Sequence, residues 1–350
     1  MKLKQLTTCS LTLLGGLLMV PAQALPMISL TQLTTGVNTP IGIDYYEPNN
    51  TMVGSVNYSS GSPFNFVEIQ GNGSVTQFSA ISGLTDEIKI ATVRSGNVGG
   101  FTTGDFFTGN GIDGQIVKVT TGGLIVINPW VDLPGAGNGL MRGSLHVDRT
   151  GVYGGDLIVA TTDGEVWRVN SAGAPTKLAD VNVHLEGLLV VPNDVALYGP
   201  LAGKIISGAE GQGLMYVFDA GGLVTTHALG VAIEDIDLIT GTENFFGMAF
   251  ANNAIFGAAA AQFLPYANSI LLTQEIPAGG SSGLFRLSWN GSALVTEAFG
   301  LNPGSAVPRQ WEHVSFGRAG IDVIPPVPEP ATLALMGLGL ALVAGRRRRF

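Results

Sequence analysis

Between residues 64 and 291 apolar and polar positions alternate in short bursts, each closed by glycine. Residues 114–123 (GQIVKVTTGG) are echoed by 164–173 (GEVWRVNSAG) and 213–222 (GLMYVFDAGG), and more loosely by 283–291 (GLFRLSWNG) and 64–73 (FNFVEIQGNG). Period-two alternation running into a glycine turn is the pattern of a half-buried strand entering a hairpin. The copies begin at 64, 114, 164, 213 and 283, so the spacing is 50, 50, 49 and then 70 residues.

A second strand-like element precedes three copies, at residues 156–161, 204–208 and 268–273. A third lies further upstream, at residues 41–45, 143–147, 186–191, 245–250 and 312–316, with 88–93 as a sixth candidate. Three or four strands in each unit of about 50 residues is propeller periodicity. The fold expected is all-β, a β-propeller of five or six blades, with the third group as its innermost strands. Residues 28–33 are placed to close the ring on the last blade, which would remove two exposed edges. A β-sandwich or jelly roll would not need the near-constant spacing.

The ends of the chain depart from this pattern. Lys2 and Lys4 precede an apolar run, and Ala22-Gln23-Ala24 follows Pro21. A basic start, a short apolar stretch and an A-x-A site predict a signal peptide over 1–24, cut after Ala24. It implies the export translocon and signal peptidase as partners. At the other end an apolar run, 331–345, leads into Arg346, Arg347, Arg348 and Arg349. As a helix it would extend about 22 Å, short against a hydrocarbon core of about 30 Å. The arginines would hold that flank in the cytoplasm. The organisation expected is a signal peptide (1–24), a propeller body (25–324) and a short transmembrane tail (325–350).

Composition narrows the chemistry. Without the two ends the body keeps 11 basic and 25 acidic residues, a net charge of −14 with histidine neutral. Nucleic acid is not a partner that such a surface attracts. The only cysteine, Cys9, lies in the leader. The body therefore has no disulfide, thiol nucleophile or cysteine metal site. Fifty glycines and 12% charged residues suit short strands and tight turns.

Pro328, Glu329 and Pro330, followed by the short apolar helix and the arginine cluster, resemble the PEP-CTERM sorting signal of Gram-negative bacteria. The resemblance implies cleavage near this tripeptide by an exosortase, a membrane transpeptidase, with delivery to the cell surface. It also implies a setting of extracellular polysaccharide and biofilm. The body's strand pattern resembles the six-bladed NHL and gluconolactonase-like propellers. That second resemblance implies an axial divalent metal, Ca²⁺ or another, with Glu186, Asn244 and Glu312 as candidate ligands and His146, His184 and His313 nearby. Arg142, at a comparable position, would oppose a cation.

Other motifs read as structure. Gly279 to Gly283 matches G-x-S-x-G but runs into a strand rather than a helix, so it is a loop. Residues 109–114 suit a hairpin turn, residues 135–139 lack a βαβ setting, and residues 234–237 suit an exposed acidic loop. Trp167 and Trp289 lie on repeat strands and should pack, whereas Trp130 and Trp311 are freer to bind. No complete catalytic set is present, so a binding or structural role at the surface is expected. A metal-dependent, lactonase-like hydrolase is the alternative.

Overall fold

The computed structural model describes residues 25–137, 139–140, 142–275 and 282–321. The predicted leader, with Ala22 and Ala24, and the tail from Pro328 to Arg349 lie outside these residues. Among the described residues no helix is long and apolar enough to cross a membrane.

Six four-stranded antiparallel sheets surround one axis. Blade 1 consists of Ile43–Tyr46, Thr51–Ser55, Phe66–Ile69 and Val75–Gln77, from the axis outward. Blade 2 consists of Ala91–Thr92, Phe106–Thr108, Gln115–Val119 and Val126–Asp132. Blade 3 runs from Leu145–Val147 through Leu157–Ala160 and Glu165–Val169 to Pro175–Asp180. Blade 4 runs from Glu186–Val190 through Ile205–Ala209 and Leu214–Phe218 to Val224–Ala228. Each inner strand contacts the next, and the sixth closes onto the first. The repeat that carried the prediction is the third strand of blades 1 to 5. Its leading glycine has a structural reason in blades 2 to 4, where Gly114, Gly164 and Gly213 take φ of 78°, 96° and 62° to turn the chain.

Blades 5 and 6 are interlocked. The chain makes the inner strand of blade 5, Ile233–Leu238, then crosses to build Asn244–Ala249 and Ala254–Ala258 of blade 6. It then returns to finish blade 5 with Ile270–Gln274, Gly283–Trp289 and Leu294–Ala298. This excursion accounts for the 70-residue spacing. Blade 6 takes its inner strand, Trp311–Gly317, from the C-terminal side and its outer strand, Thr31–Thr35, from the N-terminal side. Met27–Ile28 adds a parallel pairing with Gly300–Leu301. The ring is thus closed from both ends of the body, as residues 28–33 suggested.

Three expectations are corrected. The strand at 245–250 is second from the axis, because the true inner strand of blade 6 arrives later in sequence. The missing inner strand of blade 5 is the segment read as an exposed acidic loop. Glu234, Asp235 and Asp237 are all buried. A strand lining a polar axis need not show apolar alternation, and that hid it. Trp311 is fully buried, with its ring 5.8 Å from that of Phe245 and 5.9 Å from that of Phe256. It is a core residue rather than a free surface ring.

The remaining tryptophans also pack. Trp167 is in the core, Trp130 lies 5.0 Å from Phe107, and Trp289 abuts Gly199. Because Trp311 ties the inner strand of blade 6 to the two strands inserted from mid-chain, Trp311→Ala should cost about 3–5 kcal/mol. Urea denaturation would measure it; a loss below 1 kcal/mol would contradict this packing role.

Candidate functional site

An inner propeller strand has an edge with no backbone neighbour, and its N–H groups need acceptors. Here side chains from adjacent blades supply them. Asp235 accepts from Val314 N (2.7 Å) and Asp237 from Phe316 N (2.9 Å), bridging blades 5 and 6. His313 Nδ1 accepts from Ile43 N (3.0 Å), bridging blades 6 and 1. Asp44 accepts from the N–H and hydroxyl of Thr92 (2.8 and 2.9 Å), bridging blades 1 and 2. Ser144 accepts from Gly187 N (2.8 Å), bridging blades 3 and 4. Polar residues on the axis are therefore latches first.

At the N-terminal ends of the inner strands a second set converges. The ladders of blades 4, 5 and 6 each slip there, beside Glu186, Glu234 and Glu312. Such bulges re-aim side chains. Gly187 permits the one in blade 4 with φ of 63°, where a Cβ would strike Asp235. In blades 4 and 5 a hydroxyl of the second strand satisfies the bulged backbone: Ser207 donates to Gly187 O (2.7 Å), and Asp235 N donates to Thr273 (2.9 Å).

Into this acidic ring projects Lys89, 1% exposed. Its Nζ lies 2.9 Å from Glu234 and 3.7 Å from Glu186. Burial opposes its charge, but Glu186 and Glu234 hold its pKa well above the usual value. The carboxyls divide the remaining charge. Burial raises Glu186, yet Lys89 and the neighbouring His184 and Glu234 together outweigh it and bring the group down to about 2. Burial and the neighbouring Glu186 push the pKa of Glu234 well above the usual carboxylate value. Burial likewise holds Glu312 well up, and pushes Glu87 and Glu210 up to about 7. His184 Nε2 lies 3.2 Å from Glu186 but is poorly aligned for a hydrogen bond, so the contact is electrostatic. Arg142, at the rim, is 3.7 Å from Glu87.

Of the predicted metal ligands, Glu186 and Glu312 stand at this end of the axis. Asn244 does not. It starts the second strand of blade 6, donating to Ala319 O and accepting from Ala260 N, both at 2.8 Å. Oxygens of Glu186, Glu210 and Glu234 do approach within 4.8 Å of one another. But Ca²⁺ takes six to eight oxygens, and an ammonium already sits against two of these carboxylates. Lys89 competes with any axial cation for these oxygens, and no chemistry is derived through one. Sequence reasoning missed Lys89; a lone lysine in the apolar stretch 88–93 was the available signal.

At the opposite mouth a cavity of about 300 Å³ opens between the C-terminal ends of the inner strands, with a second of about 20 Å³ beneath it. Arg94, Arg149, Arg318, His146, Asp237 and Glu243 are among its walls. Asp44 lies behind it, taking Arg94 at 3.0 Å and Arg149 at 3.1 Å. Burial competes with these two guanidiniums, which hold its carboxyl far below the usual range. Burial, with Arg149 for His146 and Lys89 for His313, lowers both imidazoles to about 3, so both are neutral.

Residues 326–349 match the PEP-CTERM protein-sorting motif. The chain thus carries the signal of an exported, membrane-anchored precursor handled by an exosortase. No curated protein matches it. Among solved structures, a nidogen/laminin complex aligns at 9% identity over 81% of this chain and 87% of that one, with a TM-score of 0.52. A virginiamycin B lyase from Staphylococcus aureus aligns at 11% identity over 81% and 76% (TM-score 0.46), and a putative gluconolactonase at 9% over 79% and 94% (TM-score 0.45). At these identities the likeness concerns the propeller fold alone.

Two measurements test the acidic ring. Lys89→Met leaves buried carboxylates without their counter-ion and should cost about 3–5 kcal/mol at pH 7. The loss should be smaller at pH 5, where the carboxyls take up protons; equal losses at both pH values would refute the account. Glu87 titrates near 7 when folded and at 4.5 otherwise. Between these values the unfolded chain gives up its proton first, so this group destabilises the fold increasingly as pH rises. Glu87→Gln should therefore raise the melting temperature at pH 8 and leave it nearly unchanged at pH 4. A gain of equal size at both would contradict the shift.

Proposed function

We propose that the propeller body is a non-catalytic binding module, released or displayed at the cell surface after exosortase processing and associated with extracellular polysaccharide. The observation that carries this reading is Lys89. Its ammonium sits 2.9 Å from Glu234 and 3.7 Å from Glu186, in the carboxylate ring that a metal-dependent propeller hydrolase would reserve for its ion. The latching hydrogen bonds give Asp44, Asp235 and Asp237 a structural occupation as well. The approach of Glu186, Glu210 and Glu234 within 4.8 Å favours the second reading, a cation-dependent hydrolase.

The mature protein, purified from a producing Gram-negative host, separates the two. Intact mass should show the chain beginning at Leu25 and ending near Pro328–Pro330, and elemental analysis should find no stoichiometric Ca²⁺ or Zn²⁺. Deleting the gene should reduce matrix retention or cell aggregation. Stoichiometric metal together with lactone hydrolysis would replace the binding reading with the second one.

A further inference from the structure

The mouth opposite Lys89 has donors that the fold does not use. His146, on the inner strand of blade 3, is 8% exposed, and its buried Nε2 has no hydrogen-bond partner. It lines both the 300 Å³ cavity and the 20 Å³ cavity below. A buried imidazole nitrogen without a partner is costly and calls for an explanation. Beside it, Arg149 lines the same two cavities. Among the described residues its hydrogen bonds run from Nη2 to Asp44, leaving Nε and Nη1 unspent. Arg318, 73% exposed at the rim, has only a 3.7 Å ion pair with Glu243.

The acidic groups on this wall are already engaged. Glu47 accepts from the backbone N–H and hydroxyl of Ser95. Asp148 accepts from Thr150 N and Tyr153 N at 2.8 Å each. Asp237 accepts from Leu238 N (2.7 Å) and Phe316 N (2.9 Å). Glu243 faces Arg94 at 3.4 Å. What remains unsatisfied at the mouth is donor capacity, not acceptor capacity. Three of the body's 11 basic residues gather there in a body of net charge −14.

We propose that this mouth binds a small hydroxylated carboxylate, of the size of one sugar acid, with its carboxylate on Arg149 and against His146 Nε2. With Nη2 held by Asp44, the free Nε–H and Nη1–H of Arg149 share no edge of the guanidinium, so one of them donates to one oxygen of the ligand carboxylate. The neutral imidazole can donate one further hydrogen bond without adding charge. Tyr45, Leu189 and Phe316 give the ligand's carbon frame an apolar wall, while Thr240 presents a hydroxyl. The volume is at the lower end of small-molecule pockets, large enough for one ring and not for a chain. The site lies at the other end of the axis from the acidic ring and involves no metal. This inference rests on the binding reading above and specifies its ligand.

The test compares D-glucuronate with D-glucose on the full mature protein, by isothermal calorimetry and by NMR of the histidine rings. The His146 signals are assigned with His146→Gln. Glucuronate should bind, shift the His146 ring resonances, and lose about 10-fold or more in affinity in Arg149→Met, as expected for removing a charged hydrogen-bond partner. Glucose should bind at least about 10-fold more weakly. If Arg149→Met does not fold, the wild-type His146 shift and the glucose comparison decide the matter. Absence of glucuronate binding, equal affinity for glucose, or an unmoved His146 would overturn the site. A protein that retains polysaccharide yet ignores glucuronate would overturn this site and leave the surface-binding reading standing.

Discussion

Six strands that surround an axis without pairing to one another each expose a row of backbone donors to the interior, and most of this structure follows from meeting that need. Aspartates, a histidine and a serine reach from one blade to the next strand's N–H groups. Most of these acceptors are carboxylates, so the interior becomes acidic. Buried carboxylates need counter-charge or protons. Lys89 supplies the charge at one end of the axis, Arg94 and Arg149 supply it at the other, and burial raises the carboxyls of Glu234 and Glu312 well above their usual range. The axial charges are thus in the first place a consequence of the architecture.

The two ends then differ in what they leave over. At the Lys89 end cation and carboxylates are packed against one another, the three glutamates delivered by bulges in blades 4, 5 and 6. That end is closed by its own salt bridges. At the Arg149 end the carboxylates are satisfied while guanidinium and imidazole donors are not, and a cavity lies in front of them. A polar axis assembled for stability thus leaves unpartnered donors beside an open cavity at this end.

The interlocking of blades 5 and 6 concerns the same edges in the other direction. An open ring would leave an exposed strand on its last blade. Here blade 6 is sewn from three parts of the chain, 31–35, 244–258 and 311–317, and cannot form until the sequence is complete. Loop closure over some 280 residues carries an entropic cost, but that cost grows only logarithmically with length. Trp311, Phe245 and Phe256, buried where the parts meet, supply the apolar packing that offsets it.

Much of the fold was legible in the chain because strands two and three of each blade face hydrophobic layers on both sides of the sheet. Their alternation and their glycine turns are local properties, and so is the 50-residue period. The sorting tail was equally legible, since its three parts are contiguous. What only the tertiary structure decided is whatever depends on the axis. Glu234 to Asp237 looked like a solvated loop because an inner strand lines a polar interior. Phe245 to Phe250 looked innermost because chain order and spatial order diverge in blade 6. Lys89 looked incidental because its partners, Glu186 and Glu234, are 97 and 145 residues away in sequence. Periodicity is written between neighbours in the chain; a charge balance around an axis is set by residues that meet only when the ring closes.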